Sequence, residues 1–127
     1  MALLTKEAIL KKKDLPTEEV NVPEWKGKVK VITMTGKQRD AFEMKVYEAN
    51  EKDLGNFRAR LCVATIVDEN NIPVFTFGDM EALGRKSGRA IGRVFDVAKR
   101  LNGIGDDTIE EIEKNLPKTP GDDLSST

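Results

Sequence analysis

Residues 84–103 read GRKSGRAIGRVFDVAKRLNG, and this stretch constrains the fold more than any other. Ala90, Ile91, Val94, Ala98 and Leu101 recur at the spacing of one face of an α-helix. Ser87 stands where an N-cap is needed, Lys99 and Arg100 suit the negative end of the helix dipole, and Gly103 suits a left-handed terminator. Such an apolar face belongs in a core. The rest of the helix surface raises a question of function. Arg85, Arg89, Arg93 and Arg100 form a basic stripe with Asp96 among them, and Gly88 and Gly92 leave a third strip without side chains. An interior glycine costs ~1 kcal/mol against alanine, which a close-packed neighbour would offset and a solvated face would not. The stripe therefore has two readings. Either it lines an interface, with the glycine strip against another helix of this chain or of a neighbouring copy, or it grips nucleic acid.

The segments before it supply partners for the apolar face. Thr5 caps an expected short helix over residues 6–13, with Leu4 and Ile9 at the positions of a hydrophobic staple and Pro16 beyond its end. In TEEVNVPEWKGKVKVITMTG, Val20 and Val22 alternate with polar residues, as do Val29 and Val31, with Gly27 between the runs. That period-two pattern predicts a β-hairpin over about 18–34, its first strand ended or held at an edge by Pro23, with Trp25 a lid on the apolar side. Thr35 and Gln38 form a capping box, so a helix follows from about Gly36. Phe42, Val46 and Ala49 make its apolar stripe, broadened by Ala41, Met44 and Tyr47.

The run RLCVATIVDENNIPVFTF is open to two readings. LCVATIV and IPVFTF around DENN suit a hairpin, while Phe57, Leu61 and Ala64 suit a helix, and a short apolar run does not decide by period alone. Thr76 and Asp79 can begin a further short helix that Gly84 closes as a left-handed cap. A last helix is expected over DDTIEEIEKN, ended at Leu116-Pro117, with 117–127 a polar tail of disordered character. The whole reads as one mainly helical α+β domain over 1–116, a compact bundle of four to five short helices carrying a small N-terminal hairpin.

Composition narrows the function. The chain of 127 residues holds no histidine, so the commonest general base and metal ligand are missing. Neither a phosphate-binding GxxxxGK[ST] nor a dinucleotide GxGxxG is present. These features point away from an enzyme, a metal or a cofactor. Cys62 is the one cysteine and lies in an apolar run, which suits a buried, inert thiol and a reducing compartment. No apolar run reaches the ~18 residues of a membrane span. Net charge is −1, which gives no global pull toward nucleic acid.

The pieces LTKEAIL, TEEVNVPEW followed by GKVKV and TGKQRDAFE, RARLCVATIVDENNIPVF, and FDVAKRLNGI followed by IEEIEKN resemble, in their order and spacing, the tail assembly chaperones of long-tailed bacteriophages. The similarity runs from about residue 3 to residue 115. It implies a small, mainly helical, non-enzymatic phage or prophage protein acting in the host cell cytoplasm. Its partner would be the tape measure protein, kept soluble while tail tube protein assembles around it, and the chaperone would be absent from the mature virion. Members of the family favour a helix for RARLCVATIV. The resemblance transfers no functional residue by position.

Beside this stands the alternative of a nucleic-acid-binding phage regulator that uses the Arg85–Arg100 face. Charge distribution bears on the choice. Residues 106–127 hold seven acids and two bases, a net −5, which leaves +4 on residues 1–105. An acidic segment folded onto the basic stripe, in one chain or between copies, would cancel both. The stripe residues Arg85, Gly88, Arg89, Gly92, Arg93 and Arg100 are thus the candidate interface, of a weak homo-oligomer or of a partner, with neither nucleic acid nor membrane expected.

Overall fold

The computed structural model describes residues 2–48 and 54–105. Within them lie five α-helices and a three-stranded antiparallel sheet, an α+β fold that is mainly helical. Helix α1, Lys6–Lys11, starts as its cap requires: the Thr5 hydroxyl accepts from the Ala8 amide at 3.1 Å. It ends two residues earlier than its lysine run suggests, because Lys12 is already extended. None of its residues is buried, and the Leu4–Ile9 staple stays outside the core.

Strands β1, Thr17–Val22, and β2, Gly27–Ile32, form the expected hairpin, with Val20 opposite Val29 and Glu19 opposite Lys30. Pro23 ends β1 in a single 3-10 turn, and Lys26 takes a left-handed conformation (φ 54°) just before Gly27. A third strand that the pattern did not announce, β3 at Ile66–Val67, pairs with the other side of β2. Residues opposite one another across a ladder share a face. Val20, Val22, Val31 and Ile66 therefore face inward and are buried, while Glu19, Lys28, Lys30 and Val67 share the outer face.

Helix α2, Gly36–Glu48, opens on a complete capping box: Thr35 N–H donates to Gln38 Oε1 and Gln38 N–H to Thr35 Oγ1. Phe42 and Val46 are buried, but Met44 and Tyr47 are 57% and 79% exposed and Ala41 is exposed as well. The buried stripe is thus narrower than its sequence suggests; Ala49 lies outside the described residues.

Helix α3, Leu54–Thr65, resolves the ambiguous run as a helix, which then turns directly into β3. Phe57, Ala59, Leu61, Cys62 and Val63 are all buried, so the helix is covered on most of its circumference and shows no clean period. The hairpin reading survives only in miniature. DENN makes a tight turn in which Asp68 Oδ1 accepts from the Asn70 and Ile72 amides, Asn71 is left-handed (φ 64°), and Pro73 bridges back to Val67.

Thr76 and Asp79 form their capping box around a 3-10 turn at Phe77–Asp79, which leads into helix α4, Met80–Gly84. Gly84 is not a left-handed cap. The chain continues through Arg85 with φ −87°, and closure comes from the Arg85 amide donating to the Ala82 carbonyl and the Lys86 amide donating to the Leu83 carbonyl. Helix α5, Gly88–Leu101, is capped by Ser87 and followed by Gly103 in the left-handed region (φ 64°).

Helix α5 lies against the inner face of β1 and β2 on one side and against α3 on the other; α3 in turn carries α2 and α4. Ala90, Ile91, Val94 and Ala98 are buried as their spacing requires, with Phe95 beside them. Phe42, Phe57 and Phe95 form a row across α2, α3 and α5, with ring centroids 5.7 and 6.0 Å apart. Asn102 locks the far end of α5. Its Oδ1 accepts from the Met34 amide at 2.8 Å, its Nδ2 donates to the carbonyls of Ala98 and Ile32, and its own carbonyl accepts from Arg39 Nη1. The expected last helix and the tail over 117–127 lie outside the described residues.

Candidate functional site

The six candidate residues do not form one continuous stripe. Arg85 closes α4 and precedes α5, so it is not on the long helix. Arg89, Arg93 and Arg100 do lie along α5 and are exposed. The acidic partners of Arg93 and Arg100 come from the N-terminal hairpin. Arg93 holds Glu24 by a two-point contact, Nε to Oε1 at 2.9 Å and Nη2 to Oε2 at 3.1 Å. Arg100 Nη2 reaches both oxygens of Glu18 at 2.7 Å. The Arg93 hydrogen bond holds the Glu24 carboxyl below its ordinary value, aided by a backbone hydrogen bond and, more weakly, by the charge of Arg89. The acidic segment 106–127 lies outside the described residues. Among the described residues, Arg85 and Arg89 make no ion pair.

Among the described residues, no helix packs against the glycine strip. A side-chain carbon placed at Gly88 or Gly92 would meet open space, with no atom within 4 Å outside the helix's own backbone. The sheet packs on a different face of α5, and no described helix crosses the strip. No described helix makes the within-chain contact expected for the strip, and the expected last helix over DDTIEEIEKN lies outside the described residues.

Apolar surface is concentrated elsewhere. The first area is the N-terminal arm, where Leu3, Leu4, Ile9 and Leu10 are 96%, 68%, 53% and 73% exposed. The second is a groove of about 370 Å³ between the sheet and the turn that follows β3. Trp25, Val29, Ile66, Val67, Val74 and Phe75 line it, together with the charged Glu19, Lys28, Lys30, Asp68 and Glu69. Two of those charges are tied down: Lys28 lies 3.9 Å from Glu19, and Lys30 Nζ donates to the Glu69 carbonyl at 3.5 Å. Val74 and neighbouring Ile72 remain half exposed at 52% and 57%. A smaller hollow of about 150 Å³ lies on the other side of Phe75, lined by Gln38, Val63, Ala64, Pro73, Thr76 and Phe77.

Trp25 is half-buried against the core and also lines the groove. The other groove residues carry no sequence signal of a site, because they come from three separated segments that only the sheet brings together. Cys62 is fully buried, and burial pushes its thiol up to about 12. Its Sγ lies 3.8 Å from the Ile91 carbonyl, between α3 and α5. Among the described residues no cluster of acidic or sulfur side chains could hold a metal ion, and no helix is long and apolar enough to cross a membrane. Comparison with protein-family models, curated proteins and solved structures finds no match.

Proposed function

We propose that this chain is a non-enzymatic tail assembly chaperone of a long-tailed phage or prophage. It binds the tape measure protein in the host cell cytoplasm and keeps it soluble while tail tube protein polymerises. The observation that carries the reading is the concentration of exposed apolar side chains at the arm and at the groove, on a domain with no histidine. Large apolar patches rimmed by charge mark surfaces that cover another protein. A tape measure protein is long, helical and partly apolar, and an apolar groove is the usual seat for one face of an amphipathic helix. The ordered resemblance of LTKEAIL through IEEIEKN to this family supplies the identity of the partner.

The basic stripe supports the same choice over a nucleic-acid regulator. With Arg93 and Arg100 paired to Glu24 and Glu18, only Arg85 and Arg89 of the four stripe arginines lack an acidic partner among the described residues, and non-specific binding needs several phosphate contacts. The test has two arms on one preparation. Biolayer interferometry against immobilised tape measure fragments should give saturable binding that weakens in Val74→Glu. Fluorescence anisotropy with a labelled duplex at physiological salt should give none. Tight, salt-sensitive duplex binding lost in an Arg89→Ala/Arg93→Ala variant would replace this reading with the regulator.

A further inference from the structure

The arm and the groove are unfinished in complementary ways. Helix α1 has only six residues and buries none of them, and isolated helices shorter than ~12 residues are marginal in water. Yet the arm carries four large aliphatic side chains, flanked by Lys6, Lys11, Lys12 and Lys13 against the two acids Glu7 and Asp14. The groove offers an apolar floor, and its charged residues are three acids and two lysines, so the arm is basic and the groove slightly acidic. The arm does not lie in the groove of its own chain. It enters β1 at Thr17, opposite Ile32, while the groove lies toward the hairpin turn, around Trp25, Lys28 and Val29. Five residues, 12–16, connect the end of α1 to the strand, enough to span roughly 17 Å when extended.

We infer that the groove receives the N-terminal arm of a second copy of this chain, and that two copies exchange arms reciprocally to form a twofold dimer. The size of the contact favours exchange over a single insertion. Each aliphatic side chain buried removes on the order of 100 Å² from water, so one arm and the groove wall it covers hide roughly 600–900 Å². That is the range of weak or incidental contacts, while a stable specific interface needs roughly 1,200–2,000 Å², which two reciprocal insertions reach. A twofold exchange also closes, so the apolar arms are all used and no fibre grows. The inference uses the same arm and groove as the chaperone reading, so an arm must leave its groove before a tape measure helix can enter it.

The experiment is sedimentation velocity on the full chain over a concentration series, with three samples. An arm variant, Leu4→Glu/Leu10→Glu, and a groove variant, Val74→Glu, change exposed residues only, and unchanged circular dichroism and melting verify that both fold. Wild type should dimerise, and each variant alone should dissociate at least tenfold more readily. An equimolar mixture of the two variants should recover part of the association, because one intact arm then meets one intact groove. The inference is overturned by a wild type that stays monomeric, by variants that dimerise as wild type does, or by a mixture that sediments no faster than its separate components. A monomeric wild type whose Val74→Glu variant fails to bind tape measure fragments would assign the groove to that partner and overturn it as well.

Discussion

Replacing Asn102 by alanine should damage this fold more than any other single change at a half-exposed polar residue. Its side chain ties the end of α5 to the exit of β2 and the entry of α2 through three hydrogen bonds, the shortest from the Met34 amide at 2.8 Å. Met34 is itself buried, so truncation leaves its N–H without an acceptor, which costs ~1–3 kcal/mol. The two bonds from Nδ2 add less, since the one to the Ile32 carbonyl is long at 3.4 Å, and together they are worth ~1 kcal/mol. A loss of ~2–4 kcal/mol follows, a large fraction of the ~5–15 kcal/mol total of a natural domain. At roughly 4 °C per kcal/mol for a chain of this size, the melting temperature should fall by about 8–15 °C. Urea unfolding followed by far-ultraviolet circular dichroism measures it, with the denaturant slope unchanged. Asn70→Ala serves as the control, because Asn70 is exposed and only its amide is used. An Asn102→Ala midpoint equal to that of Asn70→Ala would refute the reasoning.

Gly92→Ala should stabilise the protein by ~0.5–1 kcal/mol in thermal melts, since the new methyl meets open space in the middle of a helix; destabilisation would mean that the strip is occupied within the chain. Phe42→Ala and Val94→Ala, at 1% and 0% exposure, should each cost ~2–5 kcal/mol in urea titration. Cys62 should resist a thiol reagent such as DTNB in the native state and react fully once unfolded, because burial raises its thiol and closes access. Glu24→Gln should lower stability at neutral pH and lose that effect in acid. A carboxylate whose folded value is depressed stabilises the fold above its unfolded value, and that gain vanishes as pH falls through the folded one; urea midpoints of the two proteins should converge at low pH.

What the sequence makes legible here is whatever rests on local hydrogen bonds or on a one-sided pattern. Thr5, Thr35 with Gln38, Thr76 with Asp79, and Ser87 all cap as their positions suggest, because a cap needs only residues three apart. Helix α5 is legible because one face is buried and the other is charged. Helix α3 is not, because burial on most sides erases its period, and its junction with β3 at Thr65–Ile66 falls inside one apolar run. A two-residue strand has no period at all; β3 exists because β2 offers Lys30 and Val31 as partners. The basic stripe is visible as a pattern, but Glu24 and Glu18 stand 69 and 82 residues away in sequence from the arginines they meet. Gly88 and Gly92 announce small volume without saying what faces it. The groove leaves no mark in the sequence, since it arises only where the sheet and the turn after Val67 meet.

The central claim is that this chain keeps a long apolar partner in solution. Co-expression with the tape measure protein, followed by centrifugation of the lysate, measures that directly. The soluble fraction of the tape measure protein should rise several-fold with wild type and return toward its baseline with the groove variant Val74→Glu. Equal solubility with and without the wild-type chain, at matched expression, would contradict the account.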